Sequence, residues 1–129
     1  MDANQIQKYK KYGIPKLRKK AGDIFRAWIR KRDEGQPCIS CGAPNPSDAG
    51  HFHPAGKVSA LEFNEDNCHA QCRSCNYYKS ADLHNYRKHL IRKIGLERVE
   101  KLDEIADRSK REVYKHNRFF LIETILKYK

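Results

Sequence analysis

The 129-residue chain holds 27 Lys and Arg against 16 Asp and Glu, a formal net charge of +11, and only 39% of its residues are hydrophobic. This is one domain's length of chain, its cysteine region polar enough that its core alone is thin and a metal staple is expected, and no apolar run approaches the roughly 20 residues that span a bilayer. The N-terminal Met1-Asp2-Ala3-Asn4-Gln5 has no apolar signal core and the five cysteines are an odd number, so a membrane-spanning protein and a disulfide-framed secreted scaffold are set aside and a cytoplasmic protein is expected.

The charge is unevenly spread. Residues 1–32 carry 11 Lys/Arg and 2 acids, residues 33–80 carry 3 and 6, and residues 81–129 carry 13 and 8. Basic arms around a mildly acidic centre most commonly meet a phosphate backbone, with an anionic membrane surface as the main competitor and a plain solvated face as the ordinary alternative, and charge alone favours nucleic acid only modestly.

Residues 1–13, in which Lys8, Lys10 and Lys11 interleave with Tyr9 and Tyr12, read as a basic tail that orders on binding. Pro15 then sits where a first helical turn accepts it, and residues 14–34 read as a basic helix. Its inward face is Leu17, Ala21, Ile24, Phe25, Trp28 and Ile29, at steps of three and four. Arg18, Lys19, Arg26, Arg30 and Lys31 fall outside or at the margin of that face. They are candidates for DNA contact, set against an ordinary solvated face.

Turn residues crowd the next stretch: Gly35, Pro37, Gly42, Pro44, Pro46, Gly50 and Pro54 leave room only for short strands and knuckles. Here lies the first of two Cys-x-x-Cys pairs, Cys38-Ile39-Ser40-Cys41; the second is Cys72-Arg73-Ser74-Cys75, its first cysteine 31 positions beyond Cys41. Two such knuckles supply four thiolates, the ligand set of a closed tetrahedral structural Zn²⁺ site. Gly42, without a Cβ, lets backbone N–H groups approach a thiolate sulfur. Cys68 is left over as a small buried hydrophobe. His69 is an alternative zinc ligand, but the complete thiolate set gives it a structural or exposed role. Asp48-Ala49-Gly50-His51-Phe52-His53-Pro54 alternates as a strand entering a hairpin, and His51 between the pairs and Asn76 just after them are an imidazole and an amide that could do chemistry.

From Asp82 the chain reads as helical. Leu83, Tyr86, Leu90 and Ile94 run in helical steps to a stop at Gly95, and Leu96, Val99, Leu102 and Ile105 begin again. A third helix is predicted from Ser109, capped with Glu112, carrying Val113, Phe119, Phe120, Ile122 and Ile125 or Leu126. Its apolar surface packs on the body or forms a homodimer interface.

Cys38, Cys41, His51, Asn67, Cys72, Cys75, Asn76 and Lys79, in that order, resemble the ββα-metal, or HNH-type, nuclease finger. The resemblance implies that His51 is the general base, that Asn67 fastens the loop beside it, and that Asn76 is the ligand of a catalytic Mg²⁺ or Mn²⁺. Many members carry Asp just before the base as a second ligand, where this chain has Gly50. Non-specific nucleases of the superfamily carry Asp-x-Gly-His, as in Asp48-Ala49-Gly50-His51, and Asp48 and His53 are the further ligand candidates. Arg73 and Lys79 join the candidate DNA contacts.

A wider resemblance spans roughly residues 14 to 105. Phe25-Arg26-Ala27-Trp28-Ile29-Arg30-Lys31-Arg32-Asp33, Ala49-Gly50-His51-Phe52, Phe63-Asn64-Glu65-Asp66-Asn67-Cys68-His69-Ala70-Gln71-Cys72 and Ile94-Gly95-Leu96-Glu97-Arg98-Val99-Glu100 are similar to the lambda phage NinG, or Rap, recombination protein family. That resemblance implies structure-specific cutting of branched DNA, Holliday junctions and displacement loops, in phage recombination within the host cytoplasm. The expected fold is α+β. A zinc-stapled HNH-like core over residues 35–81 is flanked by the basic helix of 14–34 and by two or three helices in 82–129 of the same domain. The alternatives are a zinc-stapled DNA-binding module without catalysis and a sequence-specific HNH endonuclease.

Overall fold

The computed structural model describes residues 2–78 and 82–129. The chain runs α1 (Ala3–Tyr9), α2 (Ile14–Arg32), β1 (Asp48–His51), β2 (Cys68–Gln71), α3 (Leu83–Ile94), α4 (Leu96–Ser109) and α5 (Arg118–Tyr128), with short 3₁₀ turns at Ser59–Leu61 and Glu65–Asn67 and a π-helical turn at Ser74–Tyr78. It is mixed α+β and mostly helical, and its one sheet has two strands.

The N-terminal segment expected as a tail carries a helix. Asp2 caps α1 reciprocally with Gln5, each side chain reaching the other's backbone N–H, which satisfies two of the donors a helix start leaves orphaned. Tyr9 is buried with Leu17, Ala21, Leu121, Ile122 and Ile125, and Arg118 of α5 donates to the Lys10 and Tyr12 carbonyls. Burial of one tyrosine and a tether from the far end of the chain hold this segment against the body.

Helix α2 is the spine. Pro15 stands in its first turn and Arg30, Lys31 and Arg32 in its last, where cations complement the helix dipole. Leu17, Ala21, Phe25 and Ile29 are fully buried. The first two face α5; Phe25 and Ile29 pack with Ala49, Cys68 and Tyr128 and so carry the hairpin. A second core joins Phe52, Val58 and Leu61 of the long hairpin connection to Tyr86 and Leu90 of α3 and Val99, Leu102 and Ala106 of α4.

The predicted start of the last helix is displaced. Ser109 ends α4, its hydroxyl donating to the Ile105 carbonyl, and α5 is capped by Asn117, whose Oδ1 accepts from the Phe120 N–H at 2.8 Å. Both signals satisfy backbone groups, and burial decides between them: His116 must be pulled into the body, leaving Val113 exposed instead of packed.

Asp33 holds three elements together. From the end of α2 its carboxylate accepts from Arg32 at 2.8 and 3.0 Å, from the Ala70 N–H of β2 at 2.9 Å, and pairs with Lys93 of α3 at 3.2 Å. Burial raises the cost of that charge, but these partners outweigh it and hold the carboxyl down to about 2. Nearby, burial and the adjoining Lys93 and Arg32 lower the His69 imidazole to about 4. Two pH effects follow. Below the ordinary His value of 6.5 the unfolded chain takes up a proton that folded His69 refuses, so stability falls from there toward about 4. The Asp33 contribution is complete above 3.8 and is lost as pH falls toward about 2. Asp33→Ala is expected to cost about 3 kcal/mol, because it leaves a backbone N–H and two cations without their acceptor. Urea unfolding at pH 7 checks this, and a loss below about 1 kcal/mol would contradict it.

Candidate metal knuckle and hairpin site

The two cysteine pairs converge beside the hairpin. Their four sulfurs all lie within 4.8 Å of one another, and Cys41 Sγ and Cys72 Sγ are 3.7 Å apart. Four sulfurs about 2.3 Å from a tetrahedral ion would lie about 3.8 Å from each other, so the cluster could hold a structural metal such as zinc. The knuckle backbone is arranged for thiolates. Cys38 Sγ accepts from the Cys41 and Cys72 N–H groups at 3.5 and 3.2 Å, and Cys72 Sγ from the Cys75 N–H at 3.4 Å. Burial alone would raise the Cys38 thiol, but the N–H donors outweigh it and bring it to about 7. Gly42 closes the first turn at φ +79°, with its N–H donating to the Cys38 carbonyl at 2.9 Å, a conformation that disfavours any residue with a Cβ. Cys68 is not in this group. It is wholly buried against Phe25 and Ile29, and burial pushes its thiol up to about 12.

Strands β1 and β2 pair antiparallel, Asp48 opposite Gln71 and His51 opposite Cys68. Alternation along a strand puts Ala49, His51, Cys68 and Ala70 on the side facing α2, and Asp48, Gly50, His69 and Gln71 on the other. His51 stacks on Phe25 with ring centroids 6.4 Å apart. Its Nε2 lies 2.8 Å from the Glu62 carbonyl. A carbonyl only accepts, so Nε2 carries the proton and Nδ1 of the neutral ring keeps its lone pair. Burial lowers the imidazole below its ordinary value, and the Arg26 charge adds to that; the Glu62 carbonyl and carboxylate work the other way without reversing it.

Glu62 is a site residue that no motif marks. While its carbonyl orients His51, its buried carboxylate accepts from Arg18 Nε at 2.7 Å and pairs with His116 Nε2 at 3.0 Å. Burial would raise its carboxyl, but His116 and Arg18 hold it low. His116, from the segment leading into α5, is itself buried and stacks face to face with Phe120. Sequence separations of 44 and 54 residues explain why spacing gave no signal for either contact.

On the other side of the hairpin, Asp48 Oδ2 accepts from Asn76 Nδ2 at 3.2 Å, and Asp48 Oδ1 from Arg73 at 3.2 Å and from Ser47 Oγ at 3.0 Å. Burial opposes the Asp48 charge, and Arg73, Asn76 and Ser47 together keep it below the usual carboxylate range. One carboxylate and the Asn76 Oδ1 make a sparse set of hard oxygen donors. Mg²⁺ accepts such a set because it retains waters and takes phosphate oxygens.

The predicted residues therefore divide. Asp48, Arg73 and Asn76 come together; His51 faces α2, away from them. Asn67 is fully buried and fastens the loop: its Oδ1 accepts from the His53 N–H at 2.9 Å, and its Nδ2 donates to the His53 and Leu61 carbonyls. His53 is engaged elsewhere, its Nε2 2.9 Å from Asp103, which also binds Arg87, so it does not join the Asp48–Asn76 corner as a ligand. Among the candidate DNA contacts, Arg18 is spent on Glu62, while Lys19 and Arg26 both pair with Asp23 on the exposed side of α2. Arg30 and Arg73 are exposed. Lys79 lies outside the described residues.

Gly50, the departure from the usual ligand pattern, has a steric cause. A Cβ built there would fall 1.8 Å from Gln71 Oε1 and 2.9 Å from Gln71 Cδ. Gln71 is fully buried and donates through Nε2 to Ser40 Oγ at 2.9 Å. The glutamine amide thus fills the space that a side chain at position 50 would need.

Fold and site together define a small α+β protein in which a four-cysteine cluster that could hold a structural metal adjoins a two-stranded hairpin packed on a basic helix. The family model described as Bacteriophage Lambda NinG protein matches residues 2–125, and the chain belongs to that family. Protein ninG of Escherichia phage lambda is 44% identical over 87 residues, which cover 66% of this chain and 43% of that protein. The ninG proteins of Escherichia phage 933W and Salmonella phage P22 are 42% and 41% identical over the same extent. The match thus spans less than half the length of these curated relatives. No solved structure matches the chain. No helix among the described residues is long and apolar enough to cross a membrane.

Proposed function

We propose that this chain is the core of a metal-dependent, HNH-type endonuclease that hydrolyses phosphodiesters in branched DNA, Holliday junctions and displacement loops, during phage recombination. The observation that carries the reading is the state of His51. Its Nε2 proton is pinned to the Glu62 carbonyl and burial favours the neutral ring, so Nδ1 is the nitrogen that takes a proton from an attacking water. Zinc on Cys38, Cys41, Cys72 and Cys75 holds the hairpin that carries it. A divalent cation, Mg²⁺ or Mn²⁺, held through Asn76 and Asp48, would offset charge on the phosphate. The products are 5′-phosphate and 3′-hydroxyl ends. Symmetric cutting of a four-way junction takes two such sites, hence two copies of the chain.

One observation favours a second reading, a zinc-stapled DNA-binding module without catalysis: His51 and Asn76 face opposite sides of the hairpin. The pH dependence of cleavage separates the two. With Mg²⁺ and a four-way junction, the rate is expected to be flat near neutrality and to fall on the acid side with a midpoint below the ordinary His value of 6.5. No cleavage at any pH, or an acid limb centred above that value, would overturn the assignment of His51 as the base.

A further inference from the structure

The π-helical turn that completes the second knuckle buries Cys75 beside the other cysteines and turns its next residues outward. Tyr77 is 67% exposed and Tyr78 82% exposed. Packing, the ordinary fate of two adjacent tyrosines in a small folded chain, is not what they do. The Arg73 guanidinium lies 5.8 Å from the Tyr77 ring centre, and Tyr78 stacks on no other ring among the described residues. Arg73 also reaches Asp48, the partner of Asn76. Two aromatic faces and a guanidinium plane are thus presented at the edge of the candidate metal-binding corner.

We infer that Tyr77 and Tyr78 form a stacking platform for unpaired nucleobases of DNA, so that the preferred substrate carries unstacked bases at its branch point. The inference rests on the nuclease reading and names its substrate more closely. In a duplex, base faces are covered by their neighbours. At a junction, gap or displaced strand they are open, and aromatic side chains bind them without regard to sequence. The charge next to the rings is the exposed Arg73 guanidinium, which suits a phosphate beside the bases, while the net charge of +11 of the whole chain disfavours a second copy of the same chain as the occupant.

The test uses three-way DNA carrying an unpaired 2-aminopurine at the branch, with a fully paired duplex of equal length as reference. Wild-type protein is compared with Tyr77→Ala, Tyr78→Ala and Tyr78→Phe, all checked for equal zinc content. The expected result is quenching of the branch-point base by wild type and by Tyr78→Phe. Each alanine variant is expected to lose quenching and about tenfold in affinity for the branched DNA, with duplex affinity unchanged. Alanine variants that bind and quench as wild type does would overturn the inference, as would a Phe variant as weak as the Ala variants. A shift in sedimentation coefficient caused by either alanine would overturn it too, assigning the rings to a contact between copies. Wild-type cleavage in Mg²⁺ is read on the same samples: cleavage with unaffected alanine variants sinks the platform alone, whereas neither binding nor cleavage by wild type sinks the nuclease reading and the platform with it.

Discussion

Cys72→Ser, or removal of metal by a chelator, is expected to dismantle the hairpin and abolish the cooperative thermal transition of the folded protein. The strands are four residues each, and an isolated two-stranded hairpin is marginal in water. What holds this one is Phe25 and Ile29 packed against one face and the cysteine cluster that begins where β2 ends. Structural zinc supplies on the order of 10–16 kcal/mol of folding free energy in small domains, as much as the whole stability of most of them. Cys72 also accepts the Cys75 N–H, so its loss opens the second knuckle as well as the metal set. Cys68→Ala is the control, because that sulfur is a core atom: about 1 kcal/mol of stability should go and the bound metal should stay. Metal analysis with circular dichroism melting checks both. A Cys72→Ser protein that melts like wild type would show that the knuckle is not what holds the fold.

His51→Ala is expected to slow cleavage of a four-way junction by about 10²–10⁴-fold, the span over which a general base acts. The fold should survive. The ring's contacts are a stack on Phe25 and one hydrogen bond to the Glu62 carbonyl, worth about 1 kcal/mol together with the lost burial. Zinc content and junction affinity should therefore match wild type within about a factor of two. Single-turnover rates with protein in excess, measured beside those binding constants, check the expectation. Cleavage at the wild-type rate would remove His51 from the chemistry and leave the Asp48–Asn76 corner to explain it.

How much of this was legible in the sequence depended on whether a feature is local. Helix α2 could be read from the steps of Leu17, Ala21, Phe25 and Ile29, and the cysteine cluster from its spacing, because a knuckle closes within four residues. The end of α4 and the start of α5 could not. Ser109 and Asn117 both offer good caps, and the choice turned on the burial of His116 against Glu62, a contact 54 residues long. Helix α1 was hidden by its polarity, since only Tyr9 among its residues is buried. Gly50 read as a missing ligand until Gln71 was found in the space beside it. The opposition of His51 and Asn76 across the hairpin depends on strand register and on the path of the second knuckle, neither of which residue order specifies. Motif order brings the residues of a site onto one list; the pleat decides which of them share a face.

The central claim is that a zinc-stapled hairpin in a basic chain cuts DNA at branches. The most direct measurement is incubation of zinc-loaded protein with Mg²⁺ and three end-labelled substrates of matched sequence, a duplex, a single strand and a four-way junction, with the product ends mapped. Cleavage confined to the junction, leaving 5′-phosphates and requiring Mg²⁺, is the predicted result. Tight junction binding without a cut at full zinc occupancy, or a cut at one fixed sequence in the duplex, would contradict it.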